Sequence, residues 1–226
     1  MKIGIEPGTS RPRTRIQRRN EERILDAALE VFSVLGFHGA TIDRIASGAG
    51  MSKPNVLYYF RTKRDIHAAV LERTLALWLE PLEGLDPAGE PIEEIWRYAA
   101  AKLRLSREAP LASRLFANEI LQGAQTIQSF LRIELAEQVN RKCAVIRAWI
   151  DAGRLAPIEP LHLVFTIWAV TQHYADFAPQ IDALHDGDED ALHAGAERTL
   201  KLLLTRGLAP EDVTGSLPAS DDGANA

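Results

Sequence analysis

Residues 41–60, TIDRIASGAGMSKPNVLYYF, constrain the fold more than any other stretch of this chain. They read as two short helices joined by a glycine-containing turn. Thr41 can cap the first helix, its hydroxyl accepting from the free N–H groups of the opening turn. Ile42, Ile45 and Ala46 then give an apolar face at helical spacing. Gly48, Ala49 and Gly50 make a break whose side chains are small enough for two helices to cross closely. Ser52 is placed to cap the second helix, with Pro54 in its first turn, where a missing N–H does no harm. Lys53, Asn55, Tyr58 and Tyr59 are its exposed positions and can bond to phosphates or base edges. This is the grammar of a helix-turn-helix, whose second helix enters the major groove of duplex DNA. The competing reading is an ordinary αα corner of a helical protein.

The residues immediately after the motif favour the nucleic-acid reading. In Phe60-Arg61-Thr62-Lys63-Arg64-Asp65, Thr62 and Asp65 form a capping-box-like pair and set three cations beside a helix start. Charge is divided unevenly along the chain. Residues 1–67 hold 12 Lys or Arg against 7 Asp or Glu, a balance of +5, and the remainder holds 14 against 24, a balance of −10. A chain acidic as a whole but basic at one end can still bind a polyanion there, and its acidic part is repelled from phosphates.

Other classes are disfavoured. A single cysteine, Cys143, excludes an internal disulfide and a multi-cysteine zinc site. No apolar run approaches the roughly 18 residues needed to span a membrane, and the basic N-terminus lacks the apolar core of a signal peptide. The expectation is a cytoplasmic protein with no membrane partner. His173 and Asp176 lie one helical turn apart, with His162 nearby, but a catalytic metal wants three or more convergent ligands. Neither a glycine-rich phosphate loop nor a nucleophile elbow is present. No enzyme, no catalytic residue, no metal and no cofactor is expected.

Read in order, the chain is all-α. Residues 1–17 form a basic arm, expected to be disordered when free, with Arg11, Arg13 and Arg15 among its cations. It can enter the minor groove beside the motif or serve only as a solubilising tail. The first helix is expected from Arg18 to Leu35, stopped by Gly36. Residues 18–63 make the helix-turn-helix domain. A long helix from Thr62 to about Glu80, ended by Pro81 and about 28 Å long, joins it to a helical bundle over 64–208 for effector binding and dimerisation. Within the bundle, helices are expected over Pro91–Glu108, from Pro110, over Thr126–Ala152 up to Gly153, up to Phe177, and over Glu189–Leu204. Residues 209–226 read as a disordered acidic tail.

The segment Gly153–Gln180 crowds Trp168, Gln172, His173, Tyr174 and Phe177 onto an otherwise apolar helix. Trp168 and Gln172 share a face at i, i+4. A glutamine amide offers a donor and an acceptor side by side, which fits a planar imide, and an indole supplies a flat wall. The alternative is that both are core and interface residues of a bundle, since apolar pockets with few polar groups resemble cores in sequence.

The helix-turn-helix with its Tyr58-Tyr59-Phe60 ending resembles the DNA-binding domain of TetR-family transcriptional regulators. FSVLGFHGATID, SKPNVLYYF, LWLEPL, ASRLF and above all LAPIEPLHLVFTIWAVTQHYADFAPQ are similar to one branch of that family, the RutR-type repressors of pyrimidine utilisation. The resemblance implies a homodimer that binds a palindromic operator in double-stranded DNA and is released by a pyrimidine effector, uracil or thymine. The effector residues it implies are Trp78, Trp168 and Gln172, with Tyr174, Phe177, Phe116, Arg114 and Glu119 beside them. On the DNA side Lys53, Asn55 and Tyr59 are expected at or near base edges. Ser52, Tyr58 and Lys63 are expected on phosphates, and Thr41 at the opening of the first motif helix. A different small hydrophobic or heterocyclic effector on the same fold is the alternative.

Overall fold

A computed structural model describes residues 14–210 of the chain, so the expectations for the basic arm before Thr14 and for the acidic tail after Pro210 lie outside the described residues. Among the described residues no strand is formed. The elements are α1 (Arg15–Gly39), α2 (Ile42–Gly48), α3 (Lys53–Tyr59), α4 (Lys63–Glu83), α5 (Pro91–Glu108), α6 (Pro110–Leu121), α7 (Gln128–Phe130), a π-helical turn (Leu131–Leu135), α8 (Ala136–Asp151), α9 (Pro160–Asp176), α10 (Ala178–Leu184) and α11 (Glu189–Gly207). The chain divides into two compact units. One holds the residues up to Thr74 together with Arg114–Ile127, and the other holds Leu75–Ser113 and the chain from Gln128 onward. α4 passes from the first into the second, and α6 passes back.

In the first unit α1 starts three residues earlier than its apolar periodicity suggests. Thr14 accepts from Gln17 N and Gln17 returns a bond to the Thr14 N–H, a reciprocal cap that extends the helix into the arginine-rich stretch. Helical geometry breaks at Gly36, as expected, with φ +65. Thr41 caps α2 through Arg44 N at 3.3 Å. The α2–α3 turn works as its small residues imply: a Cβ on Gly48 would lie 3.2 Å from the Cβ of Ala27, so α1 and α2 cross closely there, and Gly50 takes φ +62. Arg23 of α1 closes the turn by donating to the Ala49 carbonyl at 2.6 Å. The core of the unit is Ile24, Ala28, Phe32, Ile45, Val56, Ile66 and Val70, each essentially inaccessible. Val56 is therefore the residue that pins α3 to the unit.

The second unit is a helical bundle in which α5 packs against α9 and α11, and α8 against α9. Its core joins Leu82, Ile95, Ala99, Ile146, Trp149, Val164, Ile167 and Leu204. Pro81 does not end α4, contrary to expectation; the helix continues to Glu83. A proline lacks the N–H that would reach the Leu77 carbonyl one turn back, and α8 holds the end of the helix through carbonyls on either side of Pro81. Gln138 donates to Leu79 O at 3.2 Å, and Lys142 donates to Glu83 O at 2.7 Å. Proline does open α5, α6 and α9, at Pro91, Pro110 and Pro160.

Candidate functional site

The motif helix α3 presents one buried and one exposed side. Val56 and the capping residue Phe60 are buried, while Ser52, Lys53, Asn55 and Tyr58 are exposed, Tyr58 at 72%. Ser52 holds the N-cap position, but its hydroxyl makes no capping bond, which corrects the expectation that it caps α3. Lys53 is ion-paired with Asp43 of α2 at 2.9 Å, so the cation is held against the motif's first helix and must exchange that carboxylate for any phosphate or base. Tyr59 is half-buried; its hydroxyl accepts from Asn20 Nδ2 at 3.0 Å, and its ring meets Tyr58 edge-on at 5.2 Å. The tyrosine pair is thus a clasp, with Tyr59 tied to α1 and Tyr58 facing outward. The Thr62–Asp65 pair behaves as a capping box: Thr62 N donates to Asp65 Oδ2 at 2.9 Å and Asp65 N to Thr62 Oγ1 at 3.1 Å.

Lys63, expected on a phosphate, is engaged within the protein. Its ammonium donates to Phe37 O at 2.6 Å and to Ala40 O at 2.8 Å, with His38 O at 3.4 Å, and lies 4.5 Å from the centre of the Phe37 ring. The cation neutralises the carbonyl end of α1 and is not held out for phosphate. Arg44, Arg61 and Arg64 are exposed and make no ion pair among the described residues. Arg61 and Arg64 are two of the cations that the sequence sets beside the α4 start, whereas Arg44 was passed over there.

The expected effector residues divide between the two units. Arg114, Phe116 and Glu119 belong to the first. Glu119 is buried and engaged there, its carboxylate accepting from Thr126 N at 2.7 Å and its carbonyl from Ala124 N at 2.8 Å, which fixes the loop after α6. Tyr174 and Phe177 are in the second unit but turn to other neighbours. The Tyr174 ring lies 5.8 Å from His193, and Phe177, 54% exposed, stacks on His173.

Trp78 and Trp168 are brought together by a residue that the sequence reading passed over. The Lys102 ammonium lies 3.8 Å from the centre of the Trp78 ring and 5.9 Å from that of Trp168. Only 3% of Lys102 is accessible. Burial pushes its ammonium down to about 7, with Asp176 of α9 pulling the other way. The Trp168 indole N–H donates to the Tyr98 hydroxyl at 2.5 Å, and burial raises the Tyr98 phenol above its ordinary range. Asp176 accepts from the buried Ser113 hydroxyl at 2.6 Å. Gln172, half-buried, sits one turn beyond Trp168 and one turn before Asp176 on α9. The Trp78 indole N–H is buried with no hydrogen-bond partner. A buried donor left unmatched costs about 1–3 kcal/mol. The cluster thus holds a buried cation near two flat rings and an indole N–H with no acceptor. A separate cleft of the same unit, lined by Leu77, Pro81, Arg97, Tyr98, Ala101 and Arg104, does not include Trp168 or Gln172.

The comparisons with known proteins divide the chain near the end of the first unit's main segment, and count Arg114–Ile127 with the C-terminal part. The model of bacterial regulatory proteins of the tetR family matches residues 24–70, and that of the YcdC-like protein C-terminal region matches residues 71–211. The HTH-type transcriptional regulator RutR of Escherichia coli is 46% identical over 176 residues, covering 78% of this chain and 83% of that protein. Among solved structures, a transcriptional regulator of Streptomyces coelicolor superposes with a TM-score of 0.66 at 26% identity, covering 84% of this chain and 99% of the other. A TetR-like transcriptional regulator of a Rhodococcus species does so with a TM-score of 0.62 at 22% identity, covering 87% and 98%. No helix among the described residues is long and apolar enough to cross a membrane. The two family models together match residues 24–211 without a break, and the chain belongs to the TetR family of DNA-binding transcriptional regulators.

Proposed function

We propose that this regulator represses genes of pyrimidine utilisation and leaves its operator when uracil or thymine binds the second unit. The observation that carries the reading is the Trp78–Lys102–Trp168 cluster, two indoles around a buried cation with the Gln172 amide one turn away. A nucleobase is flat enough to stack on indole, and its imide edge matches the paired donor and acceptor of a glutamine amide. The likeness to RutR runs through this same half of the chain.

The protein acts as a homodimer. α9 and α11 expose Leu161, Phe165, Val170, Leu202 and Leu203, an apolar surface suited to isologous pairing with a second copy. Two α3 helices placed about 34–36 Å apart then enter successive major grooves of a palindromic site. Asn55 and Lys53 read base edges, Tyr58 and Ser52 meet phosphates, and Tyr59 orients Tyr58. The effector weakens DNA binding by as much as it prefers the conformation that binds DNA less well, and α4, continuous from Lys63 to Glu83, is the covalent route between the units.

An operator gel shift titrated in parallel with uracil, thymine and cytosine tests the reading. Uracil or thymine releases the DNA and cytosine does not. Gln172→Ala keeps operator affinity within about twofold and loses release by uracil. Release that persists undiminished in Gln172→Ala rejects this site, and release by an unrelated hydrophobic compound alone selects the other effector class.

A further inference from the structure

The hydrogen-bonding inventory around Trp78 is one-sided. The Trp78 indole has one N–H and no acceptor, and it is buried without a partner. In its charged form Lys102 brings only donors. The Tyr98 hydroxyl already accepts from Trp168, so its own proton is free to be donated. Three buried groups gather around the indoles, and each offers hydrogen where an acceptor is needed.

We propose that Lys102 and the Trp78 indole N–H form a two-donor clamp that selects the effector by a carbonyl oxygen, and that closing the clamp takes up a proton at Lys102. The inference rests on the pyrimidine reading above and adds to it the face of the ring that is read and the dependence of release on pH. A pyrimidine dione presents two carbonyl oxygens. Cytosine replaces one of them with an amino group, whose hydrogens meet the clamp's own. The groups that can alter the charge on Lys102 are few. α9 contributes Asp176, whose carboxylate is also held by Ser113. α5 contributes Tyr98, which burial keeps protonated, and α4 contributes Trp78, which does not titrate. Burial makes the ammonium of Lys102 expensive, and a carbonyl oxygen against it restores the charged form. A proton therefore enters with the effector: the amine gains one N–H bond, solvent supplies the proton, and no other group changes charge. The linkage runs in one direction. As pH rises through the value set by burial, the amine must still be protonated to bind, so effector affinity falls.

Calorimetric titration of the full chain with uracil tests the proposal, run between about pH 6 and pH 8 in two buffers of different ionisation enthalpy. Uptake of about half a proton per site at pH 7 is expected, with a Kd that rises about tenfold across the range. Lys102→Met, which folds without a buried charge, binds uracil more weakly, takes up no proton and shows a flat Kd. Trp78→Phe keeps the ring and loses the N–H, so it binds about tenfold more weakly and retains the pH dependence. If uracil binds with no proton uptake and Lys102→Met leaves the pH profile unchanged, the clamp is wrong and the effector reading survives. If neither uracil nor thymine binds the unaltered protein at any pH in the range, the effector reading itself fails and the clamp falls with it.

Discussion

Lys63→Ala should lose operator binding by unfolding the DNA-binding unit, not by deleting a phosphate contact. The Lys63 ammonium is spent on the Phe37 and Ala40 carbonyls, at 2.6 and 2.8 Å, and is capped by the Phe37 ring. The last carbonyls of a helix have no intrahelical donors, and the helix dipole makes them the negative end. At α1 the need is sharper, because the chain leaves helical geometry at Gly36 and the carbonyls beyond it turn toward α4. Hydrogen bonds to a charged donor are each worth about 1.5–3 kcal/mol, and alanine leaves two of these acceptors unmatched in a half-buried place. A loss of roughly 2–4 kcal/mol is expected on the same basis, a large part of what a small domain possesses. Thermal melting and salt-dependent operator binding tell the two roles apart. Near the transition temperature of the unaltered protein, Lys63→Ala is largely unfolded. At low temperature, where it folds, its binding falls with salt as steeply as before. An unchanged melting temperature, with a salt slope shallower by about one unit, would return Lys63 to the phosphate backbone. Arg44→Ala, Arg61→Ala and Arg64→Ala are the matched controls, since these exposed arginines hold no ion pair among the described residues.

The same residue shows where sequence reasoning reaches its limit. Apart from the unused Ser52 cap and the Thr14–Gln17 box, features decided by neighbours within one turn were legible. Thr41 and the Thr62–Asp65 pair cap as their spacing demands, and Pro91, Pro110 and Pro160 each open a helix. Features decided by donors from distant segments were not. Pro81 stops a helix in isolation, but here Gln138 and Lys142 of α8 hold the Leu79 and Glu83 carbonyls on either side of it, and α4 runs on to Glu83. Lys63 sits among cations beside a DNA-reading motif, and nothing local says that α1 ends within reach of its ammonium. Trp168 and Gln172 stood out by spacing and chemistry that left a core role open, and Trp78 came from a family likeness. Lys102 was passed over, although a signal for it existed. Ile95, Ala99, Lys102 and Ser106 fall at i, i+4, i+7 and i+11, and all four are buried. A cation on the apolar stripe of a helix is a rare arrangement that periodicity exposes, and it marks the site more sharply than the tryptophans do.

The cost of that arrangement is itself measurable. Lysine ordinarily titrates near 10.5, and burial holds Lys102 down to about 7. Between those values the unfolded chain binds a proton that the folded chain does not, so the native state gains stability as pH rises from about 7 to about 10.5. Below about 7 both states carry the proton and the full penalty applies. Lys102→Met removes the penalty while filling similar volume, so it should melt higher than the unaltered protein at pH 7. Replacing buried charges with packed apolar groups gains about 1–4 kcal/mol in comparable cases. Two losses pull against the gain: the cation's contact with the Trp78 ring, 3.8 Å away, and its attraction to Asp176. The difference between the two proteins should therefore shrink as pH is raised toward 10, which separates relief of a buried charge from a gain in packing. A variant that melts lower at pH 7, or whose advantage is the same at both ends of the range, would mean that Lys102 is better solvated in its fold than its burial implies. A lysine that weakens the fold yet lies between two indoles beside an unmatched N–H is placed as a binding group would be, because activity and stability make opposite demands on such a site.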